Sequence, residues 1–137
     1  MRKLGFLQVT RTASRLGLSY IRVFGSSVKS SRSARDLDVV IGPKRLGFRE
    51  LSELAGVLEK YFRKPADIVQ FRAGLSPFLV REIAGSKVLW EKPRVGRADW
   101  AIAIDQYLAI AEDDLLAFPV KDQVRNLKKI QRGFRVA

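Results

Sequence analysis

The sequence predicts an α/β (α+β) domain: a small mixed β-sheet with flanking helices, followed by C-terminal helices. Three observations carry this expectation. The chain has 137 residues, 47% of them hydrophobic, which suits one domain with a real core. Short runs of β-branched and aromatic residues alternate with longer segments whose apolar residues recur at helical spacing. Gly and Pro stand between these segments as breaks.

Each element follows in order. Residues 3–16 set Leu4, Leu7, Val9 and Leu16 among basic residues, a short amphipathic helix ending at Gly17. Tyr20-Ile21-Arg22-Val23-Phe24 reads as a strand stopped by Gly25-Ser26-Ser27. Residues 30–35 are polar, basic and aperiodic, and read as a loop. Asp36-Leu37-Asp38-Val39-Val40-Ile41 is a second strand, closed by Gly42-Pro43. Phe48, Leu51, Leu54, Ala55, Leu58, Tyr61 and Phe62 mark a helix with one buried stripe. Pro65 ends it, and residues 66–71 form a third strand. Ser76-Pro77 starts a helix that runs to Ala84 before Gly85, and residues 87–90 are a fourth strand. Residues 93–97 read as a hinge or linker. Beyond them, residues 100–118 and 120–131 read as two helices joined at Pro119. The expected division is a core at residues 1–92 and a helical extension at residues 93–137.

Composition removes whole classes of chemistry. With no Cys and no His, thiol nucleophiles, Ser-His-Asp triads, imidazole bases and structural zinc sites are excluded. A metal held by this chain must have oxygen ligands, which favours Mg²⁺ or Mn²⁺. No 18-residue apolar run is present to span a membrane, and the N-terminus lacks the apolar stretch of a signal peptide, so a soluble cytoplasmic protein is expected. The absence of Cys, with Asn126 the sole Asn, leans towards a thermophile.

Charge is uneven. The formal net charge is +12, and residues 1–35 carry basic groups with no acid until Asp36. Such a field attracts nucleotides, nucleic acid or an acidic partner, or serves solubility alone. Near the C-terminus Lys121, Arg125, Lys128 and Arg132 follow helical spacing, a candidate stripe for RNA phosphates.

The chemistry concentrates in three features. A strand points alternate side chains to one face, so Asp36 and Asp38 share a face while Leu37, Val39 and Ile41 pack on the other. Asp67 opens the third strand and joins them if that strand lies beside the second. Three such carboxylates can hold two divalent ions about 3.5–4 Å apart, the arrangement of phosphoryl and nucleotidyl transfer. Gly25-Ser26, after the first strand, offers backbone N–H groups and a hydroxyl to a phosphate, and a following helix N-terminus favours anions. The bland alternative makes Asp36 a turn cap and Asp38 an ion-pair partner. Lys29, with Arg32 and Arg35, is a candidate phosphate clamp or a solvated loop. Trp90, Trp100 and Tyr107 are expected to pack rather than to stack on a base.

Val23-Phe24-Gly25-Ser26-Ser27-Val28-Lys29, followed by Asp36-Leu37-Asp38-Val39-Val40, resembles the signature of the DNA polymerase beta nucleotidyltransferase superfamily. The chain is most similar to its minimal nucleotidyltransferases of archaea and bacteria. Ala66-Asp67-Ile68-Val69 is similar to the strand bearing that family's third carboxylate, and residues 81–91 to the helix-turn-strand that ends its core. The resemblance covers residues 1–92. It implies that Asp36, Asp38 and Asp67 are catalytic and bind Mg²⁺ (or Mn²⁺), and that Gly25 and Ser26 hold the β- and γ-phosphates. The implied reaction transfers a nucleoside monophosphate, AMP from ATP, to a protein or RNA hydroxyl. Small members often act as antitoxins paired with a HEPN-type ribonuclease, so a helical protein partner is implied as well. The chain departs from the family pattern at Lys29-Ser30, where Arg-Gly is usual, and at Arg35, where Ser commonly precedes the first Asp. The alternative function is a non-catalytic nucleic-acid-binding or partner-binding module on the same fold.

Overall fold

The computed structural model describes residues 2–29 and 35–116. Its elements are α1 (Arg2–Arg15), β1 (Tyr20–Phe24), α2 (Ser26–Lys29), β2 (Leu37–Gly42), α3 (Phe48–Phe62), β3 (Ala66–Gln70), α4 (Pro77–Ala84), β4 (Lys87–Glu91) and α5 (Gly96–Leu116). The four strands form one mixed sheet in the order β3-β2-β1-β4. β1 pairs antiparallel with β2 and β4, whereas β2 and β3 run parallel. The α/β class and small mixed sheet expected from the sequence are observed. Among the described residues no helix is long and apolar enough to cross a membrane.

Alternation along β2 explains the layering. Leu37, Val39 and Ile41 lie on one face and are buried with Val9 and Ala13 of α1, with Leu16 just beyond it, and with Leu54 and Leu58 of α3. Val40, on the other face, is buried with Val80 and Ile83 of α4 and Trp100, Ala103 and Ala111 of α5. The sheet is therefore covered on both sides, and the residues of β2 that carry no acid are its core. Ser76 caps α4 by accepting hydrogen bonds from the backbone N–H groups of Phe78 (3.2 Å) and Leu79 (3.5 Å), with Pro77 in the first turn as expected. The Glu50 carboxylate accepts from the Gly47 N–H at 3.0 Å and caps α3.

Three local expectations need correcting. Leu7 is 40% exposed instead of buried. It lies two residues before Val9, about 200° around the helix, and the buried row of α1 runs through Val9 and Ala13 and on to Leu16 just past its end. Asp36 lies one residue before β2, outside the ladder whose pairing with β3 begins at Leu37. The strand stops at Phe24 as expected, and the helix expected after Gly25-Ser26 is the single turn α2. Residues 93–97 are not all linker, because α5 begins at Gly96. A Cβ on Gly96 would stand 2.4 Å from the Ser19 carbonyl oxygen, so this glycine serves close packing. The same junction is pinned by the Lys92 N–H donating to Ser19 O (2.8 Å) and the Ser19 hydroxyl donating to Asp99 Oδ2 (2.6 Å). The expected loop at residues 30–34, the helix at residues 120–131 and the C-terminal basic stripe lie outside the described residues.

The aromatic residues pack as expected. Trp90 is buried under α1 and α3, and Trp100 sits between Tyr20 (5.2 Å between ring centroids) and Phe71 (5.3 Å). Tyr107 meets Phe71 edge-on at 4.8 Å. The Arg22 guanidinium lies 4.3 Å over the Trp100 ring and donates to the Ser86 hydroxyl and carbonyl, both at 2.8 Å. The Tyr20 hydroxyl in this cluster is buried with no hydrogen-bond partner, and burial is the main reason its pKa is pushed up. Tyr20→Phe is therefore expected to stabilise the protein by about 1 kcal/mol, read as a higher Tm. A lower Tm would mean that the hydroxyl is bonded in solution.

Candidate active site

The site is built where β1 ends. Gly25 turns the chain out of the sheet with φ +68°, a conformation that side chains with a Cβ rarely adopt. A Cβ at Gly25 would stand 2.8 Å from Asp38 Oδ2 and 3.3 Å from Glu82 Oε1. The turn is thus pressed between two carboxylates, one from β2 and one from the last turn of α4. Asp38 lies opposite Phe24 in the β1–β2 ladder, which brings it to the turn.

On its other side Asp38 is in register with Asp67 across the parallel β2–β3 pair. Directly paired residues project to the same face of a sheet, so the two carboxylates face the same way. Asp67 is exposed because β3 is an edge strand. Asp38 is half-buried because it stands at the start of β2, where the cover of α4 and α5 over Val40 runs out. Its carboxyl is pushed up to about 6, first by burial, then by the negative charges of Asp67, Glu82 and Asp36. All three predicted aspartates therefore act on one point, and a fourth acid acts with them. Among the described residues, no group of three acids is drawn together at metal-ligating distance.

The remaining predicted residues lie as follows. Ser26 is exposed and opens α2. An open cleft of about 470 Å³ is lined by Gly25, Ser26, Val28, Glu82 and Gly85. α2 spans four residues, too few for an aligned dipole, and the Val28 N–H already donates to the Gly25 carbonyl at 3.2 Å. A helix this short adds little attraction for an anion at the turn. Lys29 closes α2, and Arg35 is exposed beside Asp36.

Glu82 is the functional candidate that sequence reasoning missed. Its sequence position says only that it lies in the last turn of a helix with Gly85 beyond. Its approach to Gly25 depends on how α4 packs against the sheet, and no spacing rule reports that.

Comparison with known proteins adds the context of the fold. No family model matches the chain, and no curated protein matches it by sequence. Solved structures do share its fold. One is a chain from the tri-AMPylated Shewanella oneidensis HEPN toxin in complex with MNT antitoxin, 19% identical, with a TM-score of 0.60 over 96% of this chain and 99% of that one. A toxin–antitoxin solved with AMP-PNP is 19% identical, with a TM-score of 0.59 over 87% of this chain and 97% of that one. The toxin–antitoxin MntA-HepT is 19% identical, with a TM-score of 0.55 over 90% of this chain and 98% of that one. The described residues thus have the small mixed-sheet α/β fold that the sequence predicts, and these solved structures share it.

Proposed function

We propose that this protein is a metal-dependent nucleotidyltransferase that moves AMP from ATP to a hydroxyl of a HEPN-type protein partner, as the antitoxin of a toxin–antitoxin pair. The observation that carries the reading is the registration of Asp38 with Asp67 beside the Gly25 turn. A fold shared with chains from toxin–antitoxin structures, one with an AMPylated HEPN toxin and one with AMP-PNP, supports the substrate and the partner.

Asp36, Asp38 and Asp67 would hold Mg²⁺ or Mn²⁺. Their donors are all oxygen, and the negative charges of Asp67, Glu82 and Asp36 add to burial in raising the Asp38 carboxyl. When bound, the cation neutralises the triphosphate and the departing pyrophosphate. Every other task falls to the chain itself. The Gly25 backbone and the Ser26 hydroxyl seat the β- and γ-phosphates, and Lys29 adds a cation to the clamp. Asp67, solvent-exposed on its edge strand, accepts a hydrogen bond from the acceptor hydroxyl. It takes the proton as that oxygen bonds to the α-phosphorus and the bond to the bridging oxygen breaks. In this reading residues 1–92 carry the chemistry and residues 93–137 are the helical extension.

Calorimetric titration of Mg·ATP tests the reading without knowledge of the acceptor. The wild type is expected to bind, and binding is expected to vanish with EDTA and in the Asp36→Asn/Asp38→Asn double variant. No binding by the wild type would overturn the transferase reading and make RNA the next ligand to titrate.

A further inference from the structure

We propose that Glu82 is a specificity-determining residue that makes nucleotide binding conditional on a divalent cation, by rejecting the metal-free triphosphate from the Gly25–Ser26 turn. The inference rests on the transferase reading and gives one of its residues a role that the sequence did not indicate.

The geometry is specific. Glu82 Oε1 and Asp38 Oδ2 lie within 3.3 Å and 2.8 Å of one point, the position a Cβ would take on Gly25. The only residue type without a Cβ thus stands where two carboxylates converge on the backbone that would meet a phosphate. Glu82 also lines the cleft that opens from Gly25 and Ser26. Its neighbour Arg81 does not offset this charge. The Arg81 guanidinium is engaged with Glu112 of α5 through two hydrogen bonds of 2.9 and 2.7 Å. Helix α4 therefore turns its cation towards α5 and its anion towards the turn.

A nucleoside triphosphate carries about four negative charges when free and about two when a divalent ion is bound. Against a cradle flanked by two carboxylates, the free form meets repulsion that the complexed form largely escapes. A phosphate site made only of backbone N–H groups and a hydroxyl would bind both forms. Glu82 adds the repulsive element against the wrong form, as specificity commonly requires. Its benefit is chemical. Nucleotide bound without the cation would occupy the site and could not react.

The test is calorimetry with two probes, ATP in EDTA and ATP with excess Mg²⁺, on wild type, Glu82→Gln and Glu82→Asp. Glu82→Gln keeps the size and removes the charge, and thermal melting establishes that each variant is folded. The expected result is that Glu82→Gln binds metal-free ATP about tenfold or more tightly than wild type does, a change of about 1.4 kcal/mol. Its affinity for Mg·ATP is expected to stay within about threefold. Glu82→Asp, which keeps the charge, is expected to reject metal-free ATP as wild type does. A merely structural role would move both affinities together. Unchanged rejection of metal-free ATP by Glu82→Gln would overturn the inference while leaving the transferase reading intact. So would a parallel loss of Mg·ATP binding, which would make Glu82 a cation ligand. Absence of Mg·ATP binding by the wild type would overturn both.

Discussion

Replacing Asp38 with Asn is expected to abolish nucleotidyl transfer and to make the apo protein more stable. The first effect follows from position. Asp38 stands between Asp67 and the Gly25 turn, so its loss removes the central carboxylate of the constellation. A loss of about 10³-fold or more in transfer is the scale for such a group. The second effect follows from the same charge. The folded-state pKa of Asp38 is raised to about 6, above that of an unfolded Asp, so the native state binds the proton more tightly than the unfolded one. Above pH 6 the ionised group opposes folding, and as the pH falls from 7 towards 4 the apo wild type gains stability. Asp38→Asn removes that opposition. After discounting for solvent screening of a half-exposed group, the gain at pH 7.5 in EDTA is about 1 kcal/mol, shrinking as the pH is lowered. Melting curves at pH 7.5 and pH 5 check it. A variant less stable than wild type at pH 7.5 would mean that the carboxylate is compensated by a cationic neighbour.

Gly25→Ala is expected to damage the fold and the site together. Left-handed backbone costs a residue with a Cβ about 1–2 kcal/mol, and the added methyl also has no room. At 2.8 Å from Asp38 Oδ2 it must displace that carboxylate, and at 3.3 Å it presses on Glu82 as well. The expected outcome is a drop in Tm of several degrees for a loss of about 2 kcal/mol, with transfer reduced about 100-fold through misplacement of Asp38. The two measurements must fall together. Full activity at a lowered Tm would remove this turn from the phosphate site.

Much of this arrangement was legible in the sequence, for reasons that are local. Alternation in β2 places Asp38 on the face opposite Leu37, Val39 and Ile41 whatever the neighbours are, because the side-chain period of a strand is fixed. Ser76-Pro77 states the start of α4 in two residues. Gly25 after a β-branched strand marks a turn that the backbone then makes with positive φ. What escaped depends on tertiary contacts. Glu82 reaches Gly25 only through the packing of α4, and Asp36 leaves the ladder because β3 pairs no further than Leu37. The Pro and Gly of residues 93–97 read as loose linker, although Gly96 is there to let α5 meet the Ser19 carbonyl. A composition rule cannot separate a glycine that loosens the chain from one that lets two backbones touch.

The strand order has a consequence for how the molecule comes to exist. β1 finds one neighbour close in sequence, β2, but its other neighbour is β4, so that Tyr20 waits for Glu91. Closing so long a loop is slow compared with forming the β1–β2 pair, which makes completion of the sheet a late step in folding. Until then one side of Tyr20–Phe24 presents unpaired backbone groups on an apolar strand, the kind of edge on which other chains accrete. A nascent or truncated chain that ends before residue 87 would carry all three aspartates and the glycine turn, and would still be a sticky fragment.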